Sequence, residues 1–167
     1  TIYGKTEIGL STSSLILTII VIQLVGILGA YLFSRLAKRI GNLSALKITI
    51  FIWTAASLSA YYLDKDDPNV QLKFYVISGF IGLVLGAIQT LSRSTYSKLL
   101  PENTLDPTTY FSFFDVTEKI AIVWGTFIFG LAIAITDSMR LSILLLCLFF
   151  VISIIILSMM KKTKYVK

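Results

Sequence analysis

Residues Leu141–Met160 read LSILLLCLFFVISIIILSMM, a run of 20 residues with no charge in which only Ser142, Ser153 and Ser158 are weakly polar. An α-helix rises 1.5 Å per residue, so crossing roughly 30 Å of hydrocarbon takes about 20 mostly apolar residues. This stretch therefore specifies a membrane-spanning helix. Strands of a membrane barrel would alternate apolar and polar positions, and this run does not. Working outward, the chain repeats the pattern in the uncharged runs Ile8–Ser34, Ile48–Leu63, Phe74–Ser92 and Ile120–Thr136, and the five runs hold 99 of the 167 residues. Borrowing neighbours to reach full length, they predict spans at about 13–34, 46–63, 74–99, 108–136 and 141–160. The composition agrees, with 56% hydrophobic and 14% charged residues, whereas a soluble domain carries about 25% charged. The fold class is all-α, a polytopic membrane protein with five transmembrane helices and the lipid bilayer as its first partner.

The formal net charge is +6, yet the basic residues fall mostly between spans, where they signal topology and not nucleic-acid binding. Arg35, Lys38, Arg39, Lys47, Arg93, Lys98, Lys119 and the tail lysines 161, 162, 164 and 167 make 11 of the 15 Lys and Arg on one side. Lys5, Lys65, Lys73 and Arg140 lie on the other. The positive-inside rule then predicts a cytoplasmic C-terminus and an outside N-terminus, as in an integral protein of a bacterial plasma membrane. The chain begins at Thr1 with no basic segment before its first apolar run. That start reads as a cut end and not as a signal peptide.

Histidine is absent and Cys147 is the one cysteine, so the usual metal sites and His-dependent nucleophile dyads are not expected. Neither a cofactor nor a metal is implied, and the reading is of a non-enzyme. Cys147 is expected to act as a small apolar residue. The last span, with no charge, is expected to be the most lipid-exposed of the set.

The third and fourth spans carry the chemistry. Gly82 and Gly86 allow another helix to approach closely on one face. Pro101 stops the third span, and Asp106-Pro107 starts the fourth, with Asp106 as N-cap and Pro107 at the first helical position. Counting about 1.5 Å per residue from the midpoint of this hairpin, Arg93 and Asp115 lie level about 15 Å along their helices, with Gln89 and Glu118 level one turn deeper. Arg93, Asp115, Glu118 and Lys119 sum to zero charge, which suits a low-dielectric site where an unpaired charge costs a few kcal/mol. They are candidates for an ion-pair clamp, a gate, or contact with solute or protons. Gln23, polar within a Leu/Ile/Val helix, is expected to face the bundle. Trp53 and Ser57 share a helical face that can line the same cavity.

These residues also carry a resemblance. The segment QTLSRSTYSKLLPE (Gln89–Glu102), followed by YFSFFDVTEK (Tyr110–Lys119) and Gly125, resembles the vacuole-effluxer-like branch of the major facilitator superfamily. There a Q-x-L-S-R-S segment runs into a Leu/Ile-Pro at the end of the tenth helix, and an aromatic segment with [DN]-V-x-x-K opens the eleventh. The resemblance implies that the whole chain is the eighth to twelfth of twelve helices. The segment SRLAKRIGN (Ser34–Asn42) is similar to the superfamily's cytoplasmic G-x-x-x-D-R-x-G loop, which makes Arg35, Lys38, Arg39 and Gly41 gate-loop candidates. It departs at Ser34 for Gly and at Lys38 for Asp, and the second change removes the acidic group that helps close that gate.

The implied function is a secondary transporter moving a small solute, with amino acids the expected class, by alternating access and with possible coupling to protons. Five helices do not make a two-sided cavity, so the missing N-terminal half is an expected partner. The competing reading is a five-span accessory or scaffold protein with no transport cycle. Six or seven further spans encoded in frame upstream of Thr1 would favour the permease.

Overall fold

A computed structural model describes residues 2–64, 66–101 and 106–160. Six helices follow one another: α1 (Ile2–Thr6), α2 (Thr12–Ile40), α3 (Asn42–Tyr61), α4 (Val70–Leu99), α5 (Pro107–Thr136) and α6 (Met139–Met159). Helices α2 to α6 are each long and apolar enough to cross a membrane. Glu102, Lys65 and the four tail lysines of the sequence analysis lie outside the described residues.

Helix boundaries follow capping chemistry. Ser11 accepts a hydrogen bond from the Ser14 N–H at 3.2 Å and opens α2. Asp106 accepts from the Thr109 N–H at 3.2 Å, with Pro107 beginning α5 as expected. Gly41, at φ 87°, alone joins α2 to α3 and donates its N–H to the Ala37 carbonyl at 2.9 Å. A side chain there would meet the left-handed strain that glycine avoids. Helix α2 therefore runs further than the expected span, and Arg35, Lys38 and Arg39 sit on its last turns and not in a loop.

The tightest packing is between α2 and α4. A Cβ added to Gly82 would lie 2.5 Å from the Ile22 carbonyl oxygen, and one on Gly86 or Gly29 would run into the backbone of Gly26 or Leu83. The Gly82/Gly86 spacing thus does bring a helix into backbone contact, and that helix is α2 with its own glycines at 26 and 29. Below the crossing, Phe33, Ala37, Ala45, Leu46, Ala87 and Leu91 close one apolar cluster. At the opposite end, α1 folds back so that the Tyr3 hydroxyl donates to the Ala60 carbonyl at 2.8 Å, beside Leu15, Leu63, Phe74 and Cys147.

Helix α3 packs on α4 and α6, and Trp53 stacks on Phe150 with ring centroids 5.2 Å apart. Buried hydroxyls are satisfied within their own helices: Thr18, Thr49 and Thr95 donate to the carbonyls of Ser14, Ala45 and Leu91. In hydrocarbon such groups need a partner, and the preceding turn supplies one. Helix α5 packs on α6 but has no buried residue, whereas α6 buries Ser142, Ile143 and Cys147. The most exposed span is thus α5 and not α6, because α6 fits against α3 while α5 has a neighbour on one side only.

Candidate functional site

Helices α4 and α5 are consecutive, yet they do not pack along their lengths. Between them lies an open cleft of about 1190 Å³. From α4 it is lined by Gln89, Arg93 and Ser97, among others, and from α5 by Phe111, Phe114 and Glu118. Positions 111, 114 and 118 recur at helical spacing and so share one face of α5; 89, 93 and 97 do the same on α4.

The cleft is bridged by side-chain tips. The Arg93 guanidinium pairs with the Asp115 carboxylate, and its central carbon lies 5.9 Å from the Phe114 ring centroid. Tyr96 stands one turn on, its ring 4.9 Å from Phe114 and 5.8 Å from Phe111, and its hydroxyl donates to the Tyr110 carbonyl at 2.9 Å. The Arg93 and Asp115 side chains are 57% and 41% exposed. A pair that open to solvent holds by about 1 kcal/mol or less, so it latches the two helices without welding them.

The expected pairing of Arg93 with Asp115 is present. Gln89 and Glu118 both line the cleft, with no hydrogen bond between them. Lys119 is exposed and does not line it, so the four charges do not form one neutral cluster. One residue of offset turns Lys119 about 100° away from Glu118 on the helix.

Gln23 is exposed, on a face of α2 that α4 does not cover, and does not turn inward within these helices. Trp53 is engaged with Phe150 and Ser57 is buried, and neither lines the α4–α5 cleft. Arg35 donates to the Tyr31 hydroxyl of its own helix at 3.0 Å, while Lys38 and Arg39 are exposed beside the Gly41 turn.

Sequence reasoning passed over Tyr96, Phe111, Phe114 and Asn42. The aromatics were visible as residues one turn from Arg93 and Glu118. Asn42 had no such signal. Only 3% exposed, it donates through Nδ2 to the Ser94 hydroxyl at 3.0 Å and accepts from Lys98 Nζ at 3.1 Å, tying the α2–α3 turn to the end of α4. Outside the spans, the hydroxyl and N–H of Thr109 hold the Asp106 carboxyl below the usual carboxylate range. Among the described residues no group of three or more Cys, Asp or Glu converges to hold a metal ion.

The sequence model of the family described as "Vacuole effluxer Atg22 like" matches residues 1–166. The chain belongs to that family. Among Atg22-like relatives, the uncharacterized MFS-type transporter YxiO of Bacillus subtilis is 27% identical over 158 residues, covering 95% of this chain and 35% of that protein. Autophagy-related protein 22 of Vanderwaltozyma polyspora is 31% identical over 159 residues, with 92% and 30% covered. The protein of the same name from Yarrowia lipolytica is 30% identical over 147 residues, with 83% and 24% covered. The chain thus spans about a third or less of the length of these relatives. No solved structure matches it. An Atg22-like chain with five spanning helices is a member of a transporter family and an integral membrane protein.

Proposed function

We propose that this chain is helices eight to twelve of a major-facilitator-type secondary transporter, and that the complete protein moves a small solute, with amino acids the favoured class, by alternating access. The observation that carries the reading is the α4–α5 cleft, a solvent-open gap between two long spanning helices closed at one end by one exposed ion pair and the contacts of Tyr96. A gap of that kind can open and shut at little cost, which is what a gate needs. The relative named as an MFS-type transporter, together with the vacuole-effluxer family, favours this over an accessory protein.

In this reading the exposed faces of α2 and α5 meet the N-terminal half of the protein. Arg93, Asp115, Gln89 and Glu118 form the gate and the solute-facing surface. The last turns of α2 and their cap, Arg35 to Gly41, act as the cytoplasmic gate segment, held to α4 by Asn42. Orientation with the N-terminus outside, in a bacterial plasma membrane, is supported by the skew of basic residues. Coupling to protons belongs to the same proposal.

The test is reconstitution of the full-length protein in liposomes with uptake of radiolabelled amino acids under an imposed proton gradient. Saturable uptake that falls in Arg93→Ala at equal protein abundance supports the reading. No uptake of any amino acid with or without a gradient, in either direction, removes it.

A further inference from the structure

The α4–α5 cleft carries two hydroxyls and one carboxylate that can only accept. The Thr90 hydroxyl donates to the Gly86 carbonyl and the Thr117 hydroxyl to the Phe113 carbonyl, both at 2.9 Å. With their protons committed to their own helices, these two residues offer the cleft only lone pairs. The Glu118 carboxylate offers acceptors. It makes no ion pair and no hydrogen bond among the described residues. The one cation on the cleft wall, Arg93, is engaged by Asp115 and Phe114. The formal charge left over is therefore the single negative charge of Glu118.

Its depth makes that charge informative. Helix α5 runs from Pro107 to Thr136, so its centre falls between residues 121 and 122, and Glu118 lies about 5 Å from it at 1.5 Å per residue. Gln89 lies about 7 Å from the centre of α4 by the same count, near the same level. Glu118 is exposed in the cleft just before the uncharged run Ile120–Thr136, so water answers its charge until a bound cation takes its place. Beside it stand the apolar Ile88, Phe114 and Ala121.

We propose that this cleft is an amine-recognition site: Glu118 receives the protonated amine of a small solute, Gln89, Thr90 and Thr117 offer acceptors for its two remaining N–H bonds, and Ile88, Phe114 and Ala121 take its apolar body. A solute with a carboxylate and no amine is disfavoured, because the cleft already carries a net negative charge. The proposal rests on the transport reading and adds the group by which the solute is selected.

The experiment uses the full-length protein in liposomes and three probes of one skeleton: 3-methylbutylamine with the amine alone, 4-methylpentanoate with the carboxylate alone, and leucine with both. Binding and uptake of each are measured for the unmodified protein and for Glu118→Gln, which keeps size and shape, with the melting temperature as the check on folding. The expected result is saturable binding of the amine and of leucine, none of the acid, and at least a tenfold loss of amine affinity in Glu118→Gln at unchanged melting temperature. Glu118→Asp is expected to recover part of that loss, which a merely structural role for the side chain would not require. Equal binding of 4-methylpentanoate, or unchanged amine affinity in Glu118→Gln, overturns the amine assignment and leaves transport standing wherever leucine uptake persists. Failure of all three probes to bind overturns the assignment, and absence of any amino-acid uptake by the same liposomes takes the transport reading with it.

Discussion

Helix α4 meets α2 and α5 in opposite ways. Toward α2 it presents Gly82 and Gly86, and the two backbones touch. Toward α5 it presents Gln89, Arg93 and Ser97, and only the ends of long side chains reach across. Backbone contact leaves no room for rearrangement, since close-packed groups tolerate little change in volume. A bridge of one exposed ion pair and a few aromatic edges costs little to break. One helix therefore serves as a fixed wall on one side and a movable contact on the other.

The largest expected effect comes from breaking the fixed side. Gly86→Leu should abolish recovery of folded, monodisperse protein from membranes, because every added atom meets the α2 backbone. Gly79→Ala, on the same helix where an added Cβ meets nothing within 4 Å, should leave recovery unchanged or raise stability by up to about 1 kcal/mol through helix propensity. Size-exclusion chromatography and thermal denaturation of the two variants side by side measure the contrast.

Loosening the movable side should spare folding and strike transport. Arg93→Ala is expected to lower uptake about tenfold or more with the melting temperature nearly unchanged. The charge swap Arg93→Asp with Asp115→Arg should restore much of that loss if the pair acts as a latch, and a double-mutant cycle on uptake rates gives the coupling.

A smaller effect is expected at Asn42, which joins the two regimes by holding the α2–α3 turn against α4. Asn42→Ala removes the hydrogen bonds to the Ser94 hydroxyl and from Lys98, and a cost of about 1 kcal/mol in stability is expected from their loss. Thermal unfolding in detergent measures it.

The smallest effect concerns the start of α5. The folded-state pKa of Asp106 is depressed, so its cap stabilises α5 above the unfolded carboxylate value of about 3.9 and is lost as pH falls through the lower folded value. Amide exchange at Thr109 should accelerate on acidification through that window, and Asp106→Asn should flatten the dependence.

The five spans and the Asp106-Pro107 start were legible because hydropathy and capping act within a few residues. The Arg93–Asp115 pair was legible too, because a hairpin with a short loop fixes the level of both its arms. Gln23 was legible only in part, because polarity inside an apolar helix says that a partner is needed and not on which face it stands. Lys119 misled because summing charges along a sequence ignores the turn of the helix, which carries it away from Glu118. Asn42 was invisible, since its partners Ser94 and Lys98 lie on another helix more than fifty residues away.

The sequence by itself determined that this is a five-span membrane protein, because the length and apolarity of each run are properties of the chain alone. It also marked Gly82 and Gly86 as a close-approach surface. Only the tertiary structure decided that α2 fills that surface, that α5 stands apart behind an open cleft, and that Glu118 is left as the cleft's uncompensated charge. Those outcomes depend on which helix faces meet, and that choice is made by shape and packing between segments far apart in the chain.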